Sequence, residues 1–176
     1  MTPVTLKYSD RTDRAYGLCG MAFAMFVYDV ESCLDTLSVD SEVGDGLTVT
    51  PDFFAASNPN LSVKSVWSTA LKQFQLTSAM AIANLLARSM ARRNADIPPA
   101  IRADLYRDLA TEGAETCGLE ASEANALCDR SFSYLRDLLQ QRPVAFTLKQ
   151  MADSLESEGS LTHDKILAFL QPLSRY

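Results

Sequence analysis

Residues 63–94 read VKSVWSTALKQFQLTSAMAIANLLARSMARRN. In the first half, Val63, Val66, Trp67, Ala70, Leu71 and Phe74 recur every three or four residues, the spacing of one helix face. Beyond Gln75 the apolar residues Ala79, Met80, Ile82, Ala83, Leu85 and Leu86 run nearly all round, which predicts a helix buried in the middle of the molecule. Thr77 and Ser78 both suit a helix cap and mark a candidate break.

The flanking segments are also mostly helical. Downstream, Pro98-Pro99 opens a helix, with Ile101, Leu105 and Leu109 facing inward and Gly118 as its stop. Ser122 caps another, with Ala124, Leu127, Cys128, Leu135 and Leu139 inside, and Pro143 ends it. Thr147 and Gln150 have the spacing of a capping box, and Gly159 stops that helix. Thr162 caps a short final helix, with Leu161 and Ile166 placed as a hydrophobic staple and His163 facing solvent in the first turn. Upstream, a helical pattern runs from Asp13, its expected cap, to about Leu37. Gly17 and Gly20 are costly inside a helix and predict close backbone approach by a neighbour. From Leu34 the stretch LDTLSVD alternates, as does LTVTPDFF from Leu47, around Asp45-Gly46. That predicts a small antiparallel strand pair near residues 34–54. The expected fold is mainly α (α+β), with a flexible N-terminus over 1–12 and one helical domain over 13–176.

Composition narrows the function. The chain has 176 residues, 47% hydrophobic and 22% charged, the balance of an ordinary globular protein. Sixteen basic residues against 22 acidic ones give a net charge of −6, which argues against a nucleic-acid partner. His163 is the sole histidine, so a site needing two imidazoles from one chain is excluded. The most apolar run, Leu18 to Tyr28, is about half the length that spans a bilayer and leads into Asp29 and Glu31, so membrane insertion is not expected. The N-terminus lacks the apolar core of a signal peptide, and Cys19, Cys33, Cys117 and Cys128 form no C-x-x-C pair. Free thiols in a cytoplasmic setting are expected. There is no phosphate loop and no G-x-G-x-x-G, so no cofactor is expected. Arg88, Arg92, Arg93, Arg102 and Arg107 form the one basic concentration. It reads either as an anion or partner patch or as a solvated surface paired with Asp96, Asp104 and Asp108.

The order of elements carries one further lead. Ala15-Tyr16-Gly17-Leu18-Cys19-Gly20-Met21-Ala22 precedes the strand pair, the arginine-ended helix, Ala103-Asp104-Leu105 and finally LKQMADSLESEGSLTHDKILAFL. Over roughly residues 13 to 171 this resembles the peptidase domain of FtsH-type ATP-dependent zinc proteases, whose catalytic helix reads A-Y-H-E-A-G-H-A. The resemblance places Gly17 and Met21 at the two zinc-binding histidines, Leu18 at the general base and Asp104 at the third ligand. Glycine offers no ligand, methionine is a soft and weak donor, and leucine cannot take a proton. The resemblance therefore implies no metal, no catalytic residue and no proteolysis. It also implies a protein partner or self-association, since the family's domains assemble into rings. Two alternatives stay open: an unrelated helical scaffold or adaptor, and an enzyme with a new site near Asp104 and the arginines.

Overall fold

The structure, a computed structural model, describes residues 4–41, 46–53 and 63–175. Its helices are α1 (Arg11–Val27), α2 (Val63–Leu86), α3 (Pro99–Cys117), α4 (Ala121–Leu139), α5 (Arg142–Glu158) and α6 (His163–Leu170). Its strands are β1 (Leu34–Ser38), β2 (Leu47–Val49) and β3 (Ser160–Thr162). The fold is mainly α with a small antiparallel sheet, as the sequence predicts.

The first helix starts before Asp13. Asp10 is the cap, its carboxylate accepting from the Asp13 amide at 2.7 Å. Asp13 lies in the first turn, fully buried. Ahead of the helix, residues 4–10 lie against the molecule, with Val4 in the core. The helix also stops ten residues short of Leu37: Asp29 takes a left-handed φ of 57° and turns the chain towards β1.

The long central helix crosses Thr77 and Ser78 without a break. Thr77 donates its hydroxyl back to the Gln73 and Phe74 carbonyls, at 3.1 and 3.2 Å, and so supports the helix it was expected to interrupt. The half beyond Gln75 is buried as predicted. In the earlier half Phe74 is buried, but Val66 and Trp67 are exposed. Trp67 keeps one tie, donating its indole N–H to the Cys117 carbonyl at 3.0 Å. The Val63 side chain lies outside the described residues.

The close approach foreseen at Gly20 is present. A Cβ there would sit 2.3 Å from the Ala83 carbonyl oxygen and 2.8 Å from the Ala87 Cβ, so α1 and α2 touch almost backbone to backbone.

The C-terminal half keeps the expected helices but shifts their starts. Pro99 opens α3 and Gly118 closes it at φ 67°. Glu120, rather than Ser122, caps α4 in a reciprocal box with Glu123. Pro143 does not end α4; it occupies the first turn of α5, where its missing N–H costs nothing, and the Thr147–Gln150 pair falls inside that helix. Gly159 stops α5 at φ 81°. Leu161 and Ile166 are fully buried on either side of the Thr162 cap, as a staple requires.

The strand pair near 34–54 forms as β1 and β2, with Leu37 opposite Leu47 and a bulge between Leu34 and Thr36. Asp45 of the expected turn, and Phe54 at its far end, lie outside the described residues. A third strand, β3, pairs with the other edge of β1, Leu37 opposite Leu161, giving the order β2-β1-β3. The same junction corrects the placement of His163. Its ring is half-buried, and Nδ1 donates to the Leu34 carbonyl at 2.6 Å.

One apolar cluster draws Leu18, Phe23, Ile82, Leu86, Leu135 and Leu148 together from four helices. A smaller one, around Phe74, Cys117, Leu119 and Ala124, sits under the α3–α4 turn. The four cysteines are free thiols, and burial pushes Cys128 up to about 11. Among the described residues no helix is long and apolar enough to cross a membrane.

Gly20→Ala should lower stability by about 1–3 kcal/mol through overpacking against Ala83. A Cβ at Gly118 would meet open space, so Gly118→Ala should cost only about 1–2 kcal/mol, from its left-handed backbone alone. Urea unfolding of both variants measures the difference.

Candidate functional site

The five arginines do not form one patch. Three turn inward onto a single carboxylate. Arg88 donates to Asp13 Oδ2 through Nε at 3.0 Å and Nη2 at 2.6 Å. Arg92 donates to Oδ1 at 2.7 Å, and an Arg93 guanidinium nitrogen stands 2.7 Å from the same oxygen. The Ser9 amide adds a further bond at 3.0 Å. Asp13 is 0% exposed and Arg88 1%. A π turn over Ala87–Ala91 makes this geometry available. Such a turn comes back to the same face after five residues rather than four, so Arg88 and Arg93 share a side.

Arg88 also ties down the chain ahead of α1. It donates to the Lys7 carbonyl at 2.7 Å, and its Cζ stands 4.8 Å from the centre of the Tyr8 ring. Asn84, one turn earlier, donates to the Tyr8 hydroxyl at 2.7 Å. Arg92 uses its other nitrogen on Asp10, at 2.8 and 2.9 Å. Burial opposes charge on Asp13, but the bonds from Arg88, the Ser9 amide and Arg92 outweigh it and hold the carboxyl well below its usual range.

The other two arginines are separate. Arg102 donates to Asp129 at 2.6 Å and lies over Phe132, its Cζ 4.0 Å from the ring centre. Arg107 pairs with Asp104 on its own helix at 2.9 Å, both partners well exposed. Asp96 pairs with Arg136 at 3.0 Å rather than with the arginine group.

The zinc-motif positions diverge. Leu18 is fully buried and faces the core. Met21, one turn further along α1 and partly buried, lines a cleft of about 430 Å³ that also takes in Leu6, Tyr8, Met80, Asn84 and Leu105. Gly17 lies under the wall of that cleft. A Cβ there would stand 2.7 Å from the Tyr8 ring and 2.8 Å from the Asn84 amide nitrogen. From α3 the cleft receives Leu105 and Asp108, not Asp104. Gly17 and Met21 therefore share one cleft, and Asp104 stands outside it.

Among the described residues no three His, Cys, Asp or Glu side chains form a group able to hold a metal. The cleft is lined mainly by aliphatic and methionine side chains, with Asp108 its one carboxylate. It is suited to holding an apolar group rather than to moving a proton. Compared with models of known families, with curated proteins and with solved structures, the chain matches none.

Asp13→Asn should cost about 3–5 kcal/mol, because it leaves buried guanidinium charge without its counter-ion. Asp104→Asn, at an exposed pair, should cost no more than about 1 kcal/mol. The low value on Asp13 has a definite sign. Its contribution is complete above the ordinary aspartate value, about 4, and is lost as pH falls below it towards the depressed folded value. Urea midpoints measured on acidification should therefore fall more steeply for the wild type than for Asp13→Asn.

Proposed function

We propose that the chain is a proteolytically inactive relative of FtsH-type zinc protease domains that acts as a protein-binding or assembly module. The observation that carries this is the filling of the α1 side of the cleft. Met21 and the Tyr8–Asn84 pair over Gly17 occupy the face where the resemblance puts metal ligands, and Leu18 points into the core. An imidazole at position 17 would displace Tyr8, which rests on Arg88 and accepts from Asn84. The succession of α1, the strand pair, α2, α3 and the closing β3–α6 unit also supports the reading, since it follows the family's order of elements. What remains is an open cleft, mostly apolar, fit to hold a segment of another polypeptide without cutting it.

The scaffold reading is favoured by one feature. Asp104 lies off the cleft and spends its charge on Arg107. A new enzyme site near Asp104 gains no support, because the hollow beside Arg107 does not include Asp104.

The purified chain, incubated with casein, should show no chelator-sensitive digestion and no stoichiometric zinc by elemental analysis. Zinc at one per chain with proteolysis abolished by a chelator overturns the proposal. Sedimentation velocity should show self-association or co-sedimentation with an active relative, weakened about tenfold by Met21→Arg. A strictly monomeric chain with no such association favours the scaffold.

A further inference from the structure

A separate cleft, of about 280 Å³, lies where the end of α1, the middle of α2 and one face of α4 meet. Leu127, Arg130, Ser131 and Tyr134 recur at intervals of three and four residues, so a single face of α4 supplies most of the lining. Tyr28 and Gln75 supply the rest.

Arg130 is the only charged residue in that lining. Three and four residues away on α4 stand Ala126, Leu127, Ser133 and Tyr134, none of which offers it a carboxylate. Its Nε donates to the Ala126 carbonyl at 3.4 Å, and the Nη1 and Nη2 donors have no partner among the described residues. Arg88, Arg92, Arg93, Arg102, Arg107 and Arg136, by contrast, are each held on a carboxylate. The uncharged groups add further donors. Ser131, 8% exposed, is the most buried of the lining residues, and its hydroxyl stands 2.9 Å from that of Tyr28. One proton fills that bond, which leaves the other hydroxyl proton to be given to a ligand. The Gln75 amide and the exposed Tyr134 hydroxyl complete the polar lining.

A guanidinium among hydroxyl and amide donors, with no carboxylate beside them, is the chemistry of an anion site. The donors come from three separate parts of the chain. They suit the three oxygens of a phosphoryl group better than the two coplanar oxygens of a carboxylate. Leu127 and the Tyr134 ring offer apolar contact to whatever carries that group. The volume lies just below the range of about 300–1,000 Å³ that takes drug-sized ligands, so the carrier is compact. The net charge of −6 opposes an anion only weakly at physiological salt, where its field fades over about 8 Å.

We propose that this cleft binds a small phosphate monoester, its phosphoryl group held by the Arg130 guanidinium and the Tyr28–Ser131 hydroxyl pair. The site involves none of Gly17, Leu18, Met21 and Asp104, and so is independent of the protease reading.

The test is an NMR titration of the isotope-labelled full chain with phenyl phosphate. Parallel arms use benzoate, benzyl alcohol, inorganic phosphate and the peptide acetyl-Ala-phosphotyrosine-Ala-amide. Phenyl phosphate should shift the Arg130, Ser131 and Tyr134 amides and the Gln75 side-chain amide saturably, with a Kd of about 1 mM. Benzoate and inorganic phosphate should each bind at least about fivefold more weakly, and Arg130→Ala should weaken phenyl phosphate at least about tenfold. Arg130 is exposed, so that variant should melt with the wild type. Absence of saturable binding, equal binding of benzoate or benzyl alcohol, an unchanged affinity in Arg130→Ala, or shifts confined to other surfaces overturns the proposal. Inorganic phosphate binding as tightly as phenyl phosphate assigns the cleft to the free ion and overturns the monoester. The peptide binding more than about tenfold tighter than phenyl phosphate assigns it to a phosphorylated protein and overturns the small ligand.

Discussion

A carboxylate with no solvent exposure, held by three guanidinium groups, governs the arrangement of the N-terminal half. Taking Asp13 and Arg88 out of water is expensive, and their attraction compensates only if the hydrogen bonding is nearly complete. Here it is. Asp13 accepts from Arg88, Arg92 and the Ser9 amide, and Arg88 spends its other donors on the Lys7 carbonyl and its neighbours. Such a group tolerates little displacement. It fixes where α1 begins, how the π turn after α2 is phased, and where residues 6–8 cross the surface.

The cleft follows from that arrangement. Arg88 stacks on the Tyr8 ring, Asn84 holds its hydroxyl, and the absence of a side chain at Gly17 lets the ring come close to α1. At Gly20 the backbones of α1 and α2 meet, which brings Met21 and Met80 into the lining of the same cleft. The fold thus builds a walled hollow out of two glycines and one ion cluster. Methionine suits such a wall, because its flexible thioether adapts to guests of different shape.

Much of this was legible in the residues. The periodicity from Val63 to Asn94 located the buried helix, the alternation on both sides of Asp45 located the strand pair, and Gly17 and Gly20 announced close contacts. Helix starts were less legible. Asp10, Asp13, Glu120 and Ser122 all have capping chemistry, and only tertiary placement decides which one is used. β3 is three residues long, too short to show alternation. The arginine cluster carried a signal that composition concealed. Arg88 lies on a helix apolar nearly all round, and a buried guanidinium demands a buried carboxylate. What no periodicity shows is the π turn that rotates Arg93 onto the same side as Arg88.

The sheet order has a bearing on biosynthesis. β1 is central, and the strand that completes its far edge arrives more than a hundred residues later. Until Ser160–Thr162 has left the ribosome, the nascent chain carries a hydrogen-bonding edge with nothing along it, an invitation to pair with a neighbouring molecule. The closing segment, short as it is, therefore acts as a latch. The His163 ring on the Leu34 carbonyl and the buried Leu161 hold it shut.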